Sequence, residues 1–464
     1  MKTEFNIAQL ADDPEMATSE KILRTCVHCG FCNATCPTHL LLGDELDGPR
    51  GRIYLIKEML EKDQPASKEV VTHVDRCLSC LSCMSTCPSG VHYMHLVDHA
   101  RARIESTYQR SWHDRLIRGV LGWVLPYPRR FRIALRLARL GRPLRGAIGA
   151  LPAIGPRMRA MLELAPRGLP EQSKELAGQV FPAIGERKKR IALLANCAQP
   201  VLDPGINQAT IRLLNRLGVE VVLTEGEGCC GALVHHMGKE TESQAFAVAN
   251  INAWYRELDG DGLDAIVITA SGCGTTIKDY GHMLRDNVRY AAKAARISEL
   301  AMDISELLET LDLTSGQRES GLKVAYHSAC SMQHGQQLKD GPRRLLEAVG
   351  FEVATVPEGH ICCGSAGTYN ILQPKIATEL RDRKVSNIKL TGADVVATGN
   401  IGCMVQIGSG NGADRLDVPV VHTVELIDWA TGGPRPRALE GLEFSGPIKS
   451  TRRGAPGAEA VSAI

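Results

Sequence analysis

Cysteines are the residues of this sequence whose type and spacing point most directly to chemistry. There are 16 of them, in four groups of four. Disulfide-rich folds are typical of small secreted proteins. This chain has 464 residues, and its acidic N-terminus lacks the apolar segment of a secretory signal. Thiolate ligands for a metal or cluster in a reducing compartment are therefore the preferred interpretation. The groups are Cys26, Cys29, Cys32 and Cys36; Cys77, Cys80, Cys83 and Cys87; Cys197, Cys229, Cys230 and Cys273; and Cys330, Cys362, Cys363 and Cys403.

The first two groups share the spacing C-x-x-C-x-x-C-x-x-x-C-P. In two-cluster ferredoxins, three cysteines at these gaps bind one 4Fe–4S cluster, and the cysteine before proline binds the other. Structural zinc sites are the alternative, but they usually show two paired C-x-x-C halves. The spacing therefore predicts two 4Fe–4S clusters with exchanged ligands. The first set is Cys26, Cys29, Cys32 and Cys87, and the second is Cys77, Cys80, Cys83 and Cys36.

The last two groups form a second repeat, with a period near 133 residues. In both copies 31 residues separate the first cysteine from a Cys-Cys-Gly triplet, and a glycine precedes the fourth cysteine. Four thiolates could hold a further cluster, hold structural zinc, or remain as a redox-idle remnant, and the sequence leaves these three alternatives open.

A few other side chains lie close to the cysteines. His235 and His236 follow the first Cys-Cys-Gly triplet and His360 precedes the second, so these histidines are candidates for a cluster ligand or a proton donor to quinone. A hydrogen-bonded loop histidine is the commoner outcome. Arg50 and Arg52, between the two ferredoxin-type motifs, would either anchor that segment or face a partner, and the structural role is favoured.

The elements that must position the cysteines follow from the hydrophobic pattern. Short apolar, β-branched runs alternate with helical patterns, which indicates mostly parallel sheets. Each cysteine of the second repeat then lies beyond the carboxyl end of a strand, where open α/β sheets bind ligands. The predicted strands span residues 191–195, 219–223, 265–269, 323–326, 351–356 and 394–397, and predicted helices include 207–217 and 342–349.

These patterns together predict a chain of mixed α+β and α/β class. A helical, two-cluster ferredoxin-like domain is expected first, followed by two duplicated α/β cysteine-rich domains with parallel sheets. The predicted ranges are 1–110 for the ferredoxin-type domain, 111–187 for a basic helical linker, 188–315 and 320–432 for the cysteine-rich domains, and 433–464 for a disordered tail.

Charge is unevenly distributed along the chain. The net charge is +2 and aromatic residues make up 4%, which argues against a nucleic-acid partner. Residues 101–190, however, hold 20 basic and 6 acidic residues, so this stretch carries +14 and the rest carries −12. Within it, Arg132, Arg136 and Arg139 fall on one helical stripe, with apolar residues on much of the remaining circumference. Such a helix could be a plain linker, a docking site for partner subunits, or a contact with an anionic membrane.

Longer motifs resemble the iron–sulfur subunits of bacterial glycolate oxidases. The resemblance extends from about residue 20 to 430 and is carried by the ferredoxin pair and both Cys-Cys-Gly domains. The most specific segments are LGDELDGPRGRI at 42–53 and CCGSAGTY at 362–369. One departure is that the wider cysteine-rich family usually closes its motif with C-x-x-C. Here Cys273 and Cys403 have no such partner, which puts a non-cubane cluster of the heterodisulfide reductase type in doubt.

The resemblance implies an electron-transfer role within an oxidoreductase complex. Two FAD-containing subunits would oxidise glycolate to glyoxylate, and this chain would pass electrons towards a membrane quinone. The alternatives are the iron–sulfur subunit of a lactate or glycerol-3-phosphate dehydrogenase, or a heterodisulfide-reductase-like enzyme. No dinucleotide or phosphate-loop motif occurs, so the isolated chain is expected to be inactive on glycolate. The expected location is cytoplasmic, with peripheral contact at the inner membrane face through residues 110–159.

Overall fold

A computed structural model describes the chain except residues 167, 173–174, 176, 314–317, 320, 411–414, 443–448 and 451–464. Much of the predicted tail, 433–464, therefore lies outside the described residues. Within the part that is described, Arg437–Leu439 forms a helical turn with Leu439 buried. The described portion contains no helix that is both long enough and apolar enough to cross a bilayer.

The N-terminal region is helical. Asp13 caps the second helix by accepting bonds from two backbone N–H groups, and Ser67 caps the fifth by accepting one from Val70. Apolar faces of these helices form one buried core that also includes several cysteines. The helices are α1 (Ile7–Asp12), α2 (Pro14–Thr25), α3 (Pro37–Leu42), α4 (Pro49–Glu61), α5 (Lys68–Asp75), α6 (Ser82–Thr86) and α7 (Tyr93–Thr107), with 3-10 turns at Phe31–Thr35 and Glu45–Asp47.

Four further helices follow, in the stretch predicted as a basic helical linker. The last of the four contacts two helices of the second cysteine-rich domain, which shows that this stretch packs on the rest of the chain. A buried ion network holds their start: Asp114 pairs with Arg110, Arg118 and Arg157. These helices are α8 (Trp112–Val124), α9 (Pro128–Gly141), α10 (Arg145–Gly149) and α11 (Gly155–Leu164), with a 3-10 turn at Arg142–Leu144.

The first cysteine-rich domain is built on a five-stranded sheet of order β1-β3-β2-β4-β5. Only β1 is antiparallel, and the other pairs are parallel. Its strands are β1 (Val180–Phe181), β2 (Lys189–Leu193), β3 (Val219–Val222), β4 (Ala265–Ile268) and β5 (Ala301–Asp303). Its helices are α12 (Gln199–Leu202), α13 (Gly205–Arg216), α14 (Ala232–His235), α15 (Glu240–Asp259), α16 (Ser271–Lys278), α17 (Tyr280–Met283), α18 (Ala291–Leu300) and α19 (Ile304–Glu309).

The second cysteine-rich domain repeats this topology. Its sheet has the order β10-β9-β7-β8, all parallel, which matches β5-β4-β2-β3 of the first domain. Its strands are β7 (Lys323–Tyr326), β8 (Glu352–Thr355), β9 (Val395–Thr398) and β10 (Val420–His422), and a separate ribbon pairs β6 (Arg318–Glu319) with β11 (Lys449–Ser450). Its helices are α20 (Gly341–Ala348), α21 (Tyr369–Leu372), α22 (Pro374–Lys389), α23 (Ile401–Gly408) and α24 (Thr423–Ala430), with a π-helical turn at Ser331–Gly335.

The two cysteine-rich domains share one of their buried cores. Helices α13 and α24 pack against each other between the sheets, and one buried apolar cluster draws side chains from both domains. At this interface Asp428 is fully buried and accepts bonds from Arg212 at 2.8 Å and Arg216 at 2.7 Å. The predicted fold class is confirmed, and the six predicted strands all exist within two residues of their predicted ends. Strands β5 and β10 were not predicted.

Candidate metal centres

The first ferredoxin-type thiol set lies near the surface. Cys26 follows the end of α2, and it lines one pocket together with Cys29, Cys32 and Cys87, with Cys83 of the second set also at its wall. Burial, followed by the neighbouring thiols of Cys26, Cys87 and Cys29, raises the pKa of Cys32 to about 11. Three cysteines of the first motif and the last cysteine of the second therefore share one site. Of this set, Cys29 is exposed to solvent.

The second set lies deeper in the chain. Burial, followed by the thiols of Cys80, Cys77 and Cys36, raises the pKa of Cys83 well above its ordinary value. Cys36, the last cysteine of the first motif, thus lies with three cysteines of the second motif. Burial alone would raise the pKa of Cys77, but the guanidinium groups of Arg52 and Arg101 lower it.

Both motif loops wind through the same left-handed backbone positions. The φ angles are +60° at His28 and +84° at Gly30, and +50° at Ser79 and +63° at Leu81. Glycine adopts this conformation without strain, whereas a leucine does so only when its surroundings hold it there. Leu81 is held because it is buried. The repeated φ pattern folds each loop around its own thiols.

Arg52 is the positively charged side chain whose guanidinium lies beside the Cys36 sulfur of the second set. It is 1% exposed, its Nη1 lies 3.8 Å from the Cys36 sulfur, and its other nitrogens donate to the His73 carbonyl and the Thr38 hydroxyl. Arg50, by contrast, is partly exposed and pairs with Glu45 at 2.6 Å. Arg52 therefore combines the anchoring role favoured from the sequence with a direct electrostatic contact to a cysteine.

In the first cysteine-rich domain the four thiols form a chain of contacts. A hydrogen bond to Cys229, together with burial, raises the pKa of Cys197. Cys230 contacts both Cys229 and Cys273. The four residues come from three segments at the carboxyl edge of the sheet: Cys197 follows β2, Cys229 and Cys230 lie together after β3, and Cys273 lies in the first turn of α16.

The second cysteine-rich domain brings its thiols together in the same way. The Cys330 and Cys362 sulfurs are 3.7 Å apart, and the Cys363 and Cys403 sulfurs are 3.4 Å apart. Hydrogen bonding with Cys362, together with burial, raises the pKa of Cys330 well above its ordinary value.

The glycine of each Cys-Cys-Gly triplet has a steric cause. Gly231 and Gly364 have φ angles of +87° and +88°, and each donates its backbone N–H to the first thiol of its triplet at 3.4 Å. A Cβ on Gly364 would lie 2.5 Å from the Ala377 carbonyl oxygen, and one on Gly231 would lie 2.9 Å from the Ser243 carbonyl oxygen. In each domain the helix that carries this carbonyl, α15 in the first and α22 in the second, packs too closely against the glycine for any larger residue.

The chemistry of these donor sets fits a cationic metal core. Buried thiols in contact raise one another's pKa, so four of them cannot all ionise together without a compensating positive charge. The iron ions of an iron–sulfur core carry that positive charge, and their binding favours the thiolate form of the cysteines. The backbone N–H groups of Ser79 and Val91, each 3.5 Å from a cysteine sulfur, add partial positive charge.

The second ferredoxin-type set adjoins the second cysteine-rich domain. After burial, the thiol of Cys330 is the next strongest influence on the pKa of Cys80, and Cys80 in turn raises the pKa of Cys362. Cys80 and Cys362 belong to one buried apolar cluster with Leu78 and Ile361. Two of the thiol sets therefore lie close to each other across a buried apolar interface.

The histidines singled out in the sequence lie elsewhere. His235 donates to Asp98 at 3.2 Å, His236 is half-buried and the loss of solvent around its ring lowers its pKa to about 4, and His360 is exposed. Among the described residues, none of these three belongs to a group of side chains placed to hold a metal ion, whereas His327 does, with Cys363 and Cys403. Sequence reasoning missed His327. The signal available was its place three residues before Cys330, where the first repeat has leucine.

Two neighbouring helices expose apolar stripes. On α9, Leu135 is buried, but Ile133, Leu137 and Leu140 are exposed, and so are Arg136 and Arg139. Arg132 donates to the Pro170 carbonyl and so is engaged within the chain. Helix α8 packs beside α9 and has a parallel exposed stripe, which consists of Trp112, Leu116, Val120 and Trp123.

Family models match three parts of the chain. A 4Fe-4S dicluster domain model matches residues 25–91, and a cysteine-rich domain model matches residues 191–278 and 324–408. The chain is 41% identical over 412 residues to the glycolate oxidase iron-sulfur subunit of Escherichia coli (strain K12), an alignment that covers 89% of this chain and 95% of that one. It is 27% identical to lactate utilization protein A of Bacillus licheniformis, over 52% of this chain and 99% of that one.

A solved structure has a similar fold. A hypothetical protein from Helicobacter pylori aligns with a TM-score of 0.53 and 10% identity, covering 84% of this chain and 69% of that one. At this identity the likeness concerns the fold alone. The sequence relatives, the matched domains and the four thiol sets agree on an iron–sulfur protein.

Proposed function

This chain belongs to the family of glycolate oxidase iron–sulfur subunits, and we propose that it receives electrons from FAD-containing partner subunits and passes them towards a quinone. The partners would oxidise glycolate to glyoxylate. The chain is an iron–sulfur subunit of an oxidoreductase, and on its own it would be inactive on glycolate. Lactate is the second candidate substrate of the partners, since half of the chain aligns with a lactate utilization protein.

The proposal assigns the ferredoxin-type cysteines to two 4Fe–4S clusters with exchanged ligands. Such clusters, when bound, take up and release one electron at a time. The chain's own side chains hold the cluster, shield it from water and stabilise its charge. The first cluster would be held by Cys26, Cys29, Cys32 and Cys87, and the second by Cys77, Cys80, Cys83 and Cys36.

The contact between Cys80 and the second cysteine-rich domain carries the proposal. It supports an order of three thiol sets: one near the surface, one buried, and one in the second cysteine-rich domain. The exposed Cys29, with exposed Val27 and Phe31 beside it, gives the first set a face for a partner subunit. Electrons would enter there and leave through the second cysteine-rich domain.

The proposed order can be tested in the assembled complex. We expect Cys363→Ser to abolish glycolate-driven quinone reduction while glycolate still bleaches the flavin, because the substitution interrupts the exit side only. The equivalent variant of the first domain, Cys230→Ser, serves as a matched comparison that reports whether that domain also lies on the path. Unchanged quinone reduction in folded Cys363→Ser would contradict the proposal.

Comparing glycolate, lactate and glycerol 3-phosphate as donors to the wild-type complex tests the substrate. We expect glycolate to reduce this chain's clusters fastest. Faster reduction by either of the other two donors would replace glycolate with that substrate and leave the electron-transfer role unchanged.

We further propose that the exposed stripes of α8 and α9 rest on an anionic membrane surface, where a quinone would be found. Trp112 and Trp123 lie at the two ends of the α8 stripe, and aromatic side chains of this kind favour the membrane interface. Exposed Arg136 and Arg139 beside them can reach lipid headgroups, with about 1 kcal/mol for each basic residue. Helices of this type bind in the plane of the interface. The location that follows is cytoplasmic, at the inner membrane face.

Vesicle sedimentation tests the membrane contact. Full-length protein should sediment with vesicles that contain phosphatidylglycerol, be released by salt, and fail to sediment with phosphatidylcholine alone. Leu137→Glu should abolish sedimentation. Leu390→Glu should not, because Leu390 lies on the second cysteine-rich domain, although its side chain is at least as exposed (76%, against 63% for Leu137). If Leu137→Glu still binds vesicles but fails to assemble with the flavin subunits, the stripe is a subunit interface instead.

A further inference from the structure

His327 is a buried imidazole with no partner for either ring nitrogen. It follows strand β7, it is 2% exposed, and its backbone N–H donates to the Ala397 carbonyl at 2.8 Å. Among the described residues, neither Nδ1 nor Nε2 has a hydrogen-bond partner. Leaving a buried polar group unpaired costs about 1–3 kcal/mol. A group placed in this way points to a missing ligand.

The thiols beside His327 indicate what that ligand is. One of its ring nitrogens, the Cys363 sulfur and the Cys403 sulfur all lie within 4.8 Å of one another. All three residues are buried. Imidazole nitrogen and thiolate sulfur at such separations can bind one metal ion.

The internal duplication supplies a comparison within the same chain. The offset of 133 residues that relates Cys197 to Cys330 relates Leu194 to His327. Leu194 is fully buried and apolar, and it packs in the core of the first domain. The first domain therefore fills this position with a hydrocarbon side chain, and among its described residues no histidine joins its thiols in a group placed to hold a metal ion. The same fold holds both arrangements, so the fold alone does not require a histidine there.

The second cysteine-rich domain also differs in charge. Lys384 on α22 is 1% exposed, and its ammonium donates to the Glu358 carbonyl at 2.9 Å. Its charge acts on Cys363, Cys362 and Cys403. A buried cation of this kind stabilises thiolates, and so it favours a metal-bound state over four neutral thiols.

We propose that His327 is a nitrogen ligand of the metal centre in the second cysteine-rich domain, which would make this centre a mixed histidine–thiolate site. The thiols of Cys330, Cys362, Cys363 and Cys403 surround it. The first cysteine-rich domain, with Leu194 at the equivalent position, can offer thiolates alone. The inference rests on the proposed function only in taking iron as the metal, and it gives the two halves of the duplication different centres.

Pulsed electron paramagnetic resonance on the full chain tests the ligand directly. The protein is produced with ¹⁵N-histidine or without the label, prepared anaerobically with iron and sulfide, and then reduced. We expect a strongly coupled nitrogen whose frequencies shift with the label. The signal should vanish in His327→Leu, which copies the first domain, and persist in His334→Leu. His334 is a matched control because it is also buried in this domain, but its ring nitrogens are hydrogen-bonded to Ser85 and His360.

A second variant protects the test against a simple folding failure. His327→Cys keeps a ligand at the position, so it should retain the iron content of the wild-type protein and lose only the nitrogen coupling. The inference is overturned if the wild type shows only the weak coupling of a hydrogen-bonded imidazole, or if the strong coupling survives in His327→Leu.

The proposed function fails in a different way. Glycolate added to the full complex should reduce the centre that carries the nitrogen signal. A nitrogen signal that glycolate cannot induce would overturn the electron path and support the ligand assignment. Glycolate-driven reduction of a centre without that signal would overturn the ligand assignment alone.

Discussion

Replacing Arg52 by methionine should lower the reduction potential of the second ferredoxin-type cluster. Arg52 is 1% exposed, and its Nη1 lies 3.8 Å from the Cys36 sulfur. At that distance, and an effective dielectric constant of about 20, one unit charge interacts with another by about 4 kcal/mol. An added electron spreads over the whole cluster, so roughly half of this, about 2 kcal/mol, applies. For a one-electron couple at 59 mV per tenfold, that corresponds to about 90 mV.

The assay is a redox titration followed by electron paramagnetic resonance on the anaerobically purified chain. Arg52→Met should shift the second cluster down by about 90 mV and leave the first unchanged. Arg52→Lys keeps the charge and should shift it less. Arg50→Met is the matched control: Arg50 is partly exposed, so solvent screens its charge and only a small change at the first cluster is expected. A folded Arg52→Met protein with both potentials unchanged would refute the electrostatic reasoning.

Three further outcomes are expected. Cys36→Ser should remove the cluster of the second motif and spare the cluster of the first motif, in which Cys36 itself lies. Iron in the ferredoxin region should then fall from about 8 to about 4 atoms. Loss of the first cluster alone would contradict the exchanged ligands. Gly364→Ala should destabilise the chain to thermal unfolding by at least about 2 kcal/mol, because residue 364 has a φ of +88° and its new Cβ would lie 2.5 Å from a carbonyl oxygen. Gly408→Ala on α23, where the new Cβ would meet open space, should be neutral or stabilising. Burial, together with Asp203, raises the folded-state pKa of Glu425 from 4.5 to about 8, so the contribution of this group to stability is fully present below pH 4.5 and is lost as the pH rises through 8. Glu425→Gln should flatten that decline in thermal unfolding, and an unchanged pH profile would count against the buried ionisation.

The sequence alone determined the parts of this protein that depend on local spacing. A run of cysteines at fixed gaps constrains one loop, so the two ferredoxin-type motifs could be recognised without any knowledge of packing. The duplication was visible for the same reason, because residue offsets survive in the chain. Buried apolar runs predicted the central strands β2, β3 and β4 and their copies. They did not reveal β5, since a three-residue strand, Ala301–Asp303, carries too little pattern.

Only the tertiary structure decided which distant groups meet. No spacing rule states that Cys80 adjoins Cys330, because that contact depends on how the ferredoxin-type domain packs on the second cysteine-rich domain. Periodicity placed Leu135 and Leu137 alike on the apolar part of α9, yet one is buried and the other exposed, since a neighbouring segment covers a single face. His327 is the clearest case: its meaning comes from the absence of a hydrogen-bond partner in the described structure and from two thiols that arrive from other loops. Burial and unpaired polar atoms are properties of packing, and so the sequence could not show them.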